Sequence, residues 1–264
     1  MSNAVGGSHT NGSTPLADPL MESRRLVESA ARAGLVMRLL GGAAVCLQAP
    51  DDQPLLPRRI GDIDVATKRD NKRATTEVLT RAGYEPDVHF NAFHGAHRLL
   101  FYDDANRRKL DVFLGDFAMC HVIPIADRLE LDPLTVPLAE LMLTKLQIVE
   151  LTERDQRDIY NLVYHHELRE GDSSGIESDF IATLCARDWG LWRTTRATVE
   201  RCLENMTSYE LAPHAAETIA GRLKALWKRI EEAPKSARWR LRNRVGDRVR
   251  WYEEPEEETH TATS

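Results

Sequence analysis

The spacing of apolar residues changes at Pro137, and that change limits the architectures open to this chain. Upstream, short segments such as "DIDVAT" (62–67) alternate apolar and polar residues, the two-residue repeat of a strand buried on one face. Downstream, "PLAELMLTKLQIVEL", "RDQRDIYNLVYHHEL", "IESDFIATLCARDWG" and "LAPHAAETIAGRLKALWKRI" carry helical spacing, and strand signals almost vanish. The pattern predicts an α+β protein. Residues 18–136 form an α/β half with a small mixed β-sheet flanked by helices, and residues 137–252 an all-helical domain. With 264 residues, 42% of them hydrophobic, the chain is long enough to bury a core unaided.

The first half reads in order. "LMESRRLVESAARAG" is a helix stopping at Gly34, "LVMRLL" a strand, Gly41-Gly42 a turn and "AAVCLQA" a second helix. After the loop "PDDQPLLPRR" come the strand "DIDVAT", the amphipathic helix "NKRATTEVLTRAG", and the strands "HRLLFYD" and "KLDVFLG" joined by the turn "DANRR". Residues 1–17 and 253–264 are too polar to offset their ordering entropy and are expected to be disordered tails. No segment approaches the roughly 18 apolar residues of a membrane span, and the N-terminus lacks signal-peptide character, so a cytoplasmic protein without a membrane partner is expected. Four cysteines without a C-x-x-C pair read as core residues, not as a zinc or disulfide framework.

Residues two apart on a strand share a face, so Asp62 and Asp64 project their carboxylates side by side while Ile63 and Val65 point into the core. Two adjacent carboxylates stay ionised most readily with a divalent cation between them. Asp111, flanked by apolar residues on a later strand, supplies a third hard oxygen ligand if the strands are neighbours, a set suited to one or two Mg²⁺ ions. Gly41-Gly42, between a strand and a helix, lets backbone N–H groups approach a phosphate without a Cβ in the way. Taken singly, each feature is more often a solvated strand face or a plain turn. Their joint order points to a metal-dependent nucleotide site.

That order resembles the nucleotidyltransferase superfamily with the DNA polymerase beta-like fold, whose motifs are a glycine turn, an acidic pair on a strand and a later single acidic residue. "LMLTKLQIVELTERDQRDIYNL" further resembles the AbiE-type toxin branch (AbiEii) of bacterial type IV toxin–antitoxin systems and related uncharacterised nucleotidyltransferases, matching Lys145 and Arg157-Asp158. The likeness spans about residues 35–165. It implies that Asp62 and Asp64 hold two Mg²⁺ ions on the phosphates of an NTP, and that Asp111 completes the second metal site or deprotonates the acceptor. Lys145 neutralises triphosphate charge, and Asp158 orients Lys145 or contacts the base or ribose. It also implies a small antitoxin protein as partner. Gly42 stands where many members carry Ser, and Gly61 where Ser or Thr is frequent, which implies main-chain phosphate contacts.

Arg58 and Arg59 precede the acidic pair; each is either a phosphate-binding fork or a loop-surface residue. His89, His94 and His97 fit no zinc spacing and read as rim residues near the acceptor, or as none. The net charge is −6, but five glutamates sit in the final tail, while Arg222–Arg250 holds eleven Lys/Arg against three Asp/Glu with Trp227, Trp239 and Trp251 interleaved. Residues 222–250 are therefore either an RNA or tRNA contact or a solvated helix packing its Trp residues inward. The expected function is Mg²⁺-dependent NMP transfer from an NTP to RNA, protein or an aminoglycoside-like small molecule. The rival is a non-catalytic nucleotide-sensing or partner-binding protein that keeps the fold.

Overall fold

The computed structural model describes residues 13–254, so the expected tails lie mostly outside the described residues. The N-terminal half runs α1 (Pro19–Arg32), β1 (Met37–Leu40), α2 (Gly41–Leu47), β2 (Asp62–Thr67), α3 (Lys72–Arg81), β3 (Glu85–Pro86), α4 (Val88–His94), β4 (Arg98–Asp103) and β5 (Arg108–Leu114). α1 starts where the Asp18 side chain accepts hydrogen bonds from the N–H groups of Leu20 (2.9 Å) and Met21 (2.8 Å), satisfying two donors the helix cannot. The five strands form one mixed sheet in the order β1-β2-β5-β4-β3. β2 and β5 are parallel and all other neighbours antiparallel. A parallel pair needs a crossover, and the chain from α3 to β4 supplies it. The resulting register sets Asp64 opposite Asp111.

Two short pairs follow, β6 (Phe117–Ala118) with β7 (Val122–Ile123), and, after α5 (Leu138–Leu146) and α6 (Glu153–His165), β8 (Leu168–Arg169) with β9 (Ile176–Glu177). α7 (Ser178–Arg187), α8 (Trp189–Asn205), α9 (Pro213–Glu232) and α10 (Ala237–Val245) complete the chain. α6 begins at a capping box, Thr152 accepting from the Asp155 N–H while the Asp155 carboxylate accepts from the Thr152 N–H. α5 is buried at every position, as a helix apolar on nearly all sides must be.

The change of spacing at Pro137 is not a break in the core. Leu39 N–H donates to the Leu134 carbonyl (3.0 Å) and Val136 N–H to the Leu39 carbonyl (2.8 Å), so residues 134–136 run alongside β1. One apolar cluster continues from Leu26 through Leu143 to Trp239. Several elements went unread in the sequence. α8 is the longest of them: Gly190 and the β-branched Thr194, Thr195, Thr198 and Val199 lower its helix propensity, and packing overrides the deficit. Residues 13–17 are held in place, with Ser13 N–H donating to the Arg81 carbonyl (3.1 Å) and Leu16 N–H to Glu22 Oε2 (2.9 Å). Among the described residues no helix is long and apolar enough to cross a membrane.

Candidate functional site

Asp62 and Asp64 line a cleft of 460 Å³ together with Gly42, Arg58, Lys145 and the first turn of α6 from Thr152 to Asp155. The alternation of β2 produces this directly: Ile63 and Val65 are fully buried, Asp62 is exposed and Asp64 half-buried. The two glycines are explained by different neighbours. Gly41 has φ +67°, and a Cβ on it would lie 2.0 Å from Asp64 Oδ2. A Cβ on Gly42 would lie 1.8 Å from Arg58 Nη2. The space the glycines leave beside the backbone is thus filled by one carboxylate and one guanidinium. α2 begins at Gly41 itself, so the pair is the first step of the helix, not a separate turn.

One face of α6 places Arg58. Asp158, Asn161 and His165 lie at i, i+3 and i+7, and all three hold the loop before β2. Asn161 accepts from the Leu56 N–H (2.8 Å) and donates to the Leu56 carbonyl (3.0 Å), while His165 Nε2 accepts from the Leu55 N–H (3.1 Å). Asp158 takes Arg58 in a two-pronged ion pair (2.8 and 2.9 Å). Its Oδ2 also meets Lys145 Nζ at 2.8 Å, and Asp155 Oδ1 lies 3.3 Å from the same ammonium. Burial disfavours the charge on Asp158, but Lys145 and Arg58 outweigh it and hold the carboxyl below its usual range. Burial likewise opposes the Lys145 charge, and Asp158 and Asp155 more than compensate, keeping that amine above its ordinary value. Lys145 and Arg58 therefore reach the cleft as fixed cations. Asp158 is 1% exposed and does not line the cleft; both its oxygens are committed to orienting them.

Asp111 sits directly across from Asp64 on the neighbouring strand, so their side chains share a face of the sheet. It is 2% exposed, with Oδ1 2.8 Å from Arg98 Nε and Oδ2 2.9 Å from Lys109 Nζ. Burial first, then the charges of Asp111 and Asp62, push the Asp64 carboxyl up to about 7. Among the described residues no group of three or more His, Cys, Asp or Glu is arranged to hold a metal ion. Asp62 and Asp64 leave their carboxylates at the cleft wall, where hard oxygen donors of this kind could hold a divalent cation. Asp111, with both oxygens engaged by cations, supplies charge behind them instead of a third open ligand.

The other expected residues scatter. Arg59 is exposed and outside the cleft, its carbonyl accepting from Arg58 Nη1 at 3.2 Å. His89, His94 and His97 do not line the cleft; His94 stacks on Phe90 (4.7 Å between ring centres) and His97 Nδ1 lies 3.0 Å from Arg69. Arg154 in the cleft wall was missed, although the "TERD" capping signal at residues 152–155 marks where its helix begins. In the basic segment 222–250, Trp239 is 8% exposed, Trp227 is partly buried, and both pack around Trp192 (5.1 and 6.0 Å between ring centres). Arg222 donates to the carbonyls of Val163 (2.8 Å) and Tyr164 (2.6 Å). Both helices of this segment are thus anchored to the body of the protein by residues that looked like RNA contacts.

No protein-family model matches the sequence, and no curated protein matches it.

Proposed function

We propose that the chain is a nucleotidyltransferase that moves an NMP from an NTP to an acceptor hydroxyl on RNA or protein. The observation that carries this reading is the convergence, in one cleft, of Asp62 and Asp64 with the oriented cations Arg58 and Lys145 beside Gly42. A Mg²⁺ ion, when bound, would be held by Asp62 and Asp64 and would neutralise charge on the phosphates. Arg58, its Nε and Nη2 held by Asp158, and Lys145 present fixed positive charge to the triphosphate. Arg154, at the first turn of α6, extends the positive wall toward the leaving pyrophosphate. The acceptor oxygen bonds to the α-phosphorus as the bond to the β-phosphate oxygen breaks. The hydroxyl proton passes to a cleft carboxylate and pyrophosphate leaves.

Incubation with each α-labelled NTP, Mg²⁺ and total cellular RNA and protein should label one acceptor class, and Asp64→Asn should cut labelling at least 100-fold. Labelling unchanged in that variant overturns the assigned site. A second reading, nucleotide binding without transfer, is favoured by one observation: Arg98 and Lys109 already neutralise Asp111. Calorimetric NTP binding with no labelled acceptor would select it.

A further inference from the structure

A second, larger cavity of 640 Å³ opens between the end of α7, the start of α8, α10 and the extended segment 250–253. No residue lines both it and the cleft, and its volume is within the roughly 300–1,000 Å³ of small-molecule sites. Its charge is unbalanced. Arg187 and Arg238 have no carboxylate partner among the described residues. Arg242 donates to the carbonyls of Gly246 and Val249 (both 2.6 Å) and sits 4.5 Å from the ring centre of Trp189, and it too has no carboxylate partner among the described residues. Arg250 is paired with Glu254. Asp188 caps α8 through the Leu191 N–H (3.1 Å) and keeps its charge, so the lining sets four arginines against the two carboxylates of Asp188 and Glu253.

The walls are aromatic and their polar edges are spent. Trp189 is buried under Arg242 with its Nε1 on Asn243 (2.7 Å), while Trp251, its Nε1 donating to Thr194 (3.1 Å), is only half-buried, so the ring surface open to the cavity is that of Trp251 with Tyr252 beside it. The wall carrying Trp251 is a built feature. A Cβ on Gly190 would lie 2.5 Å from the Trp251 carbonyl, so glycine admits that segment against α8, and Glu253 N–H donates to the Cys120 carbonyl (3.1 Å) to secure its end. Guanidinium groups next to ring faces suit a ligand with an anion joined to a flat ring.

We propose that this cavity binds a nucleoside phosphate unit, either a free nucleotide or one residue of a single-stranded nucleic acid, with phosphate on Arg187 and Arg238 and base against Trp251 and Tyr252. It is independent of the transfer reaction and needs neither metal nor the acidic pair. The test is a tryptophan-fluorescence titration of the full chain, without divalent cations, using AMP in one arm and a short oligoadenylate in the other. Saturable quenching is expected in at least one arm, weakened tenfold or more by Arg238→Glu and by Arg187→Glu and unchanged by Asp64→Asn. Quenching by AMP identifies a mononucleotide site. Quenching by the oligomer alone, weakening as salt rises, identifies single-stranded nucleic acid. Absence of quenching in both arms overturns the proposal, as does unchanged affinity in both arginine variants with native circular dichroism. Equal displacement by polyglutamate also overturns it, since that ligand carries charge without rings.

Discussion

The cleft and the C-terminal cavity both gather arginines, yet they treat them oppositely. In the cleft Arg58 is locked to Asp158, which also holds Lys145, so the cations are oriented by a carboxylate the cleft never sees. In the cavity Arg187 and Arg238 lack any such partner among the described residues, and Arg242 donates to the carbonyls of Gly246 and Val249. The contrast separates two uses of positive charge: fixed geometry, as a reaction on phosphorus requires, and surplus charge, as ligand capture requires.

The contrast breaks most severely at Asp158. Asp158→Ala would leave Lys145 buried with only Asp155 near and Arg58 unpaired, at a cost of about 3–5 kcal/mol in urea unfolding. Removing charge on the other side, with Arg238→Ala at its exposed position, should shift stability by no more than about 0.5 kcal/mol. An equal loss in the two variants would erase the distinction. Gly42→Ala is the intermediate case. Its methyl must displace the Arg58 guanidinium, so stability should fall by about 1–3 kcal/mol and NTP binding should weaken even where the fold survives. Unchanged calorimetric affinity would remove Arg58 from the phosphate site.

A pH-dependent effect lies at the seam. His166, next to Arg222 and bonded to the backbone of Gln48, has its pKa lowered to about 4 chiefly by burial, and further by His165. The unfolded imidazole, near 6.5, takes up a proton that the folded one refuses. Stability is therefore complete above that value and lost as pH falls toward 4. With solvent screening at this partly exposed ring the loss is on the order of 1 kcal/mol. Unfolding midpoints at pH 7 and pH 5 should differ by less in His166→Gln than in the parent chain.

Much of the sheet was legible because its signals are local. "DIDVAT" alternates within six residues, and the apolar flanks of Asp111 mark a strand without reference to any partner. What joins those strands was not legible: a parallel pair is separated by its crossover, and nothing in either segment states that Asp64 faces Asp111. The same holds for Arg58 and Arg59, adjacent and chemically identical, where the choice is made about a hundred residues later by Asp158, Asn161 and His165 on one helix face. The tryptophans of the basic segment show the limit of composition. Trp227 and Trp239 face Trp192, and Trp239 also lines the cavity that Trp251 walls, an arrangement that only the packing of α8 against its neighbours decides.

The strand-like pairing of residues 134–136 with β1 bears on where this chain can be divided. Thr135 and Val136 are fully buried, and Lys145, which the cleft needs, hangs from the helix that begins two residues later. A chain cut here would strip β1 of the segment paired with it and the helices of the residues that lead into α5. The two halves differ in spacing, yet one apolar core runs through both.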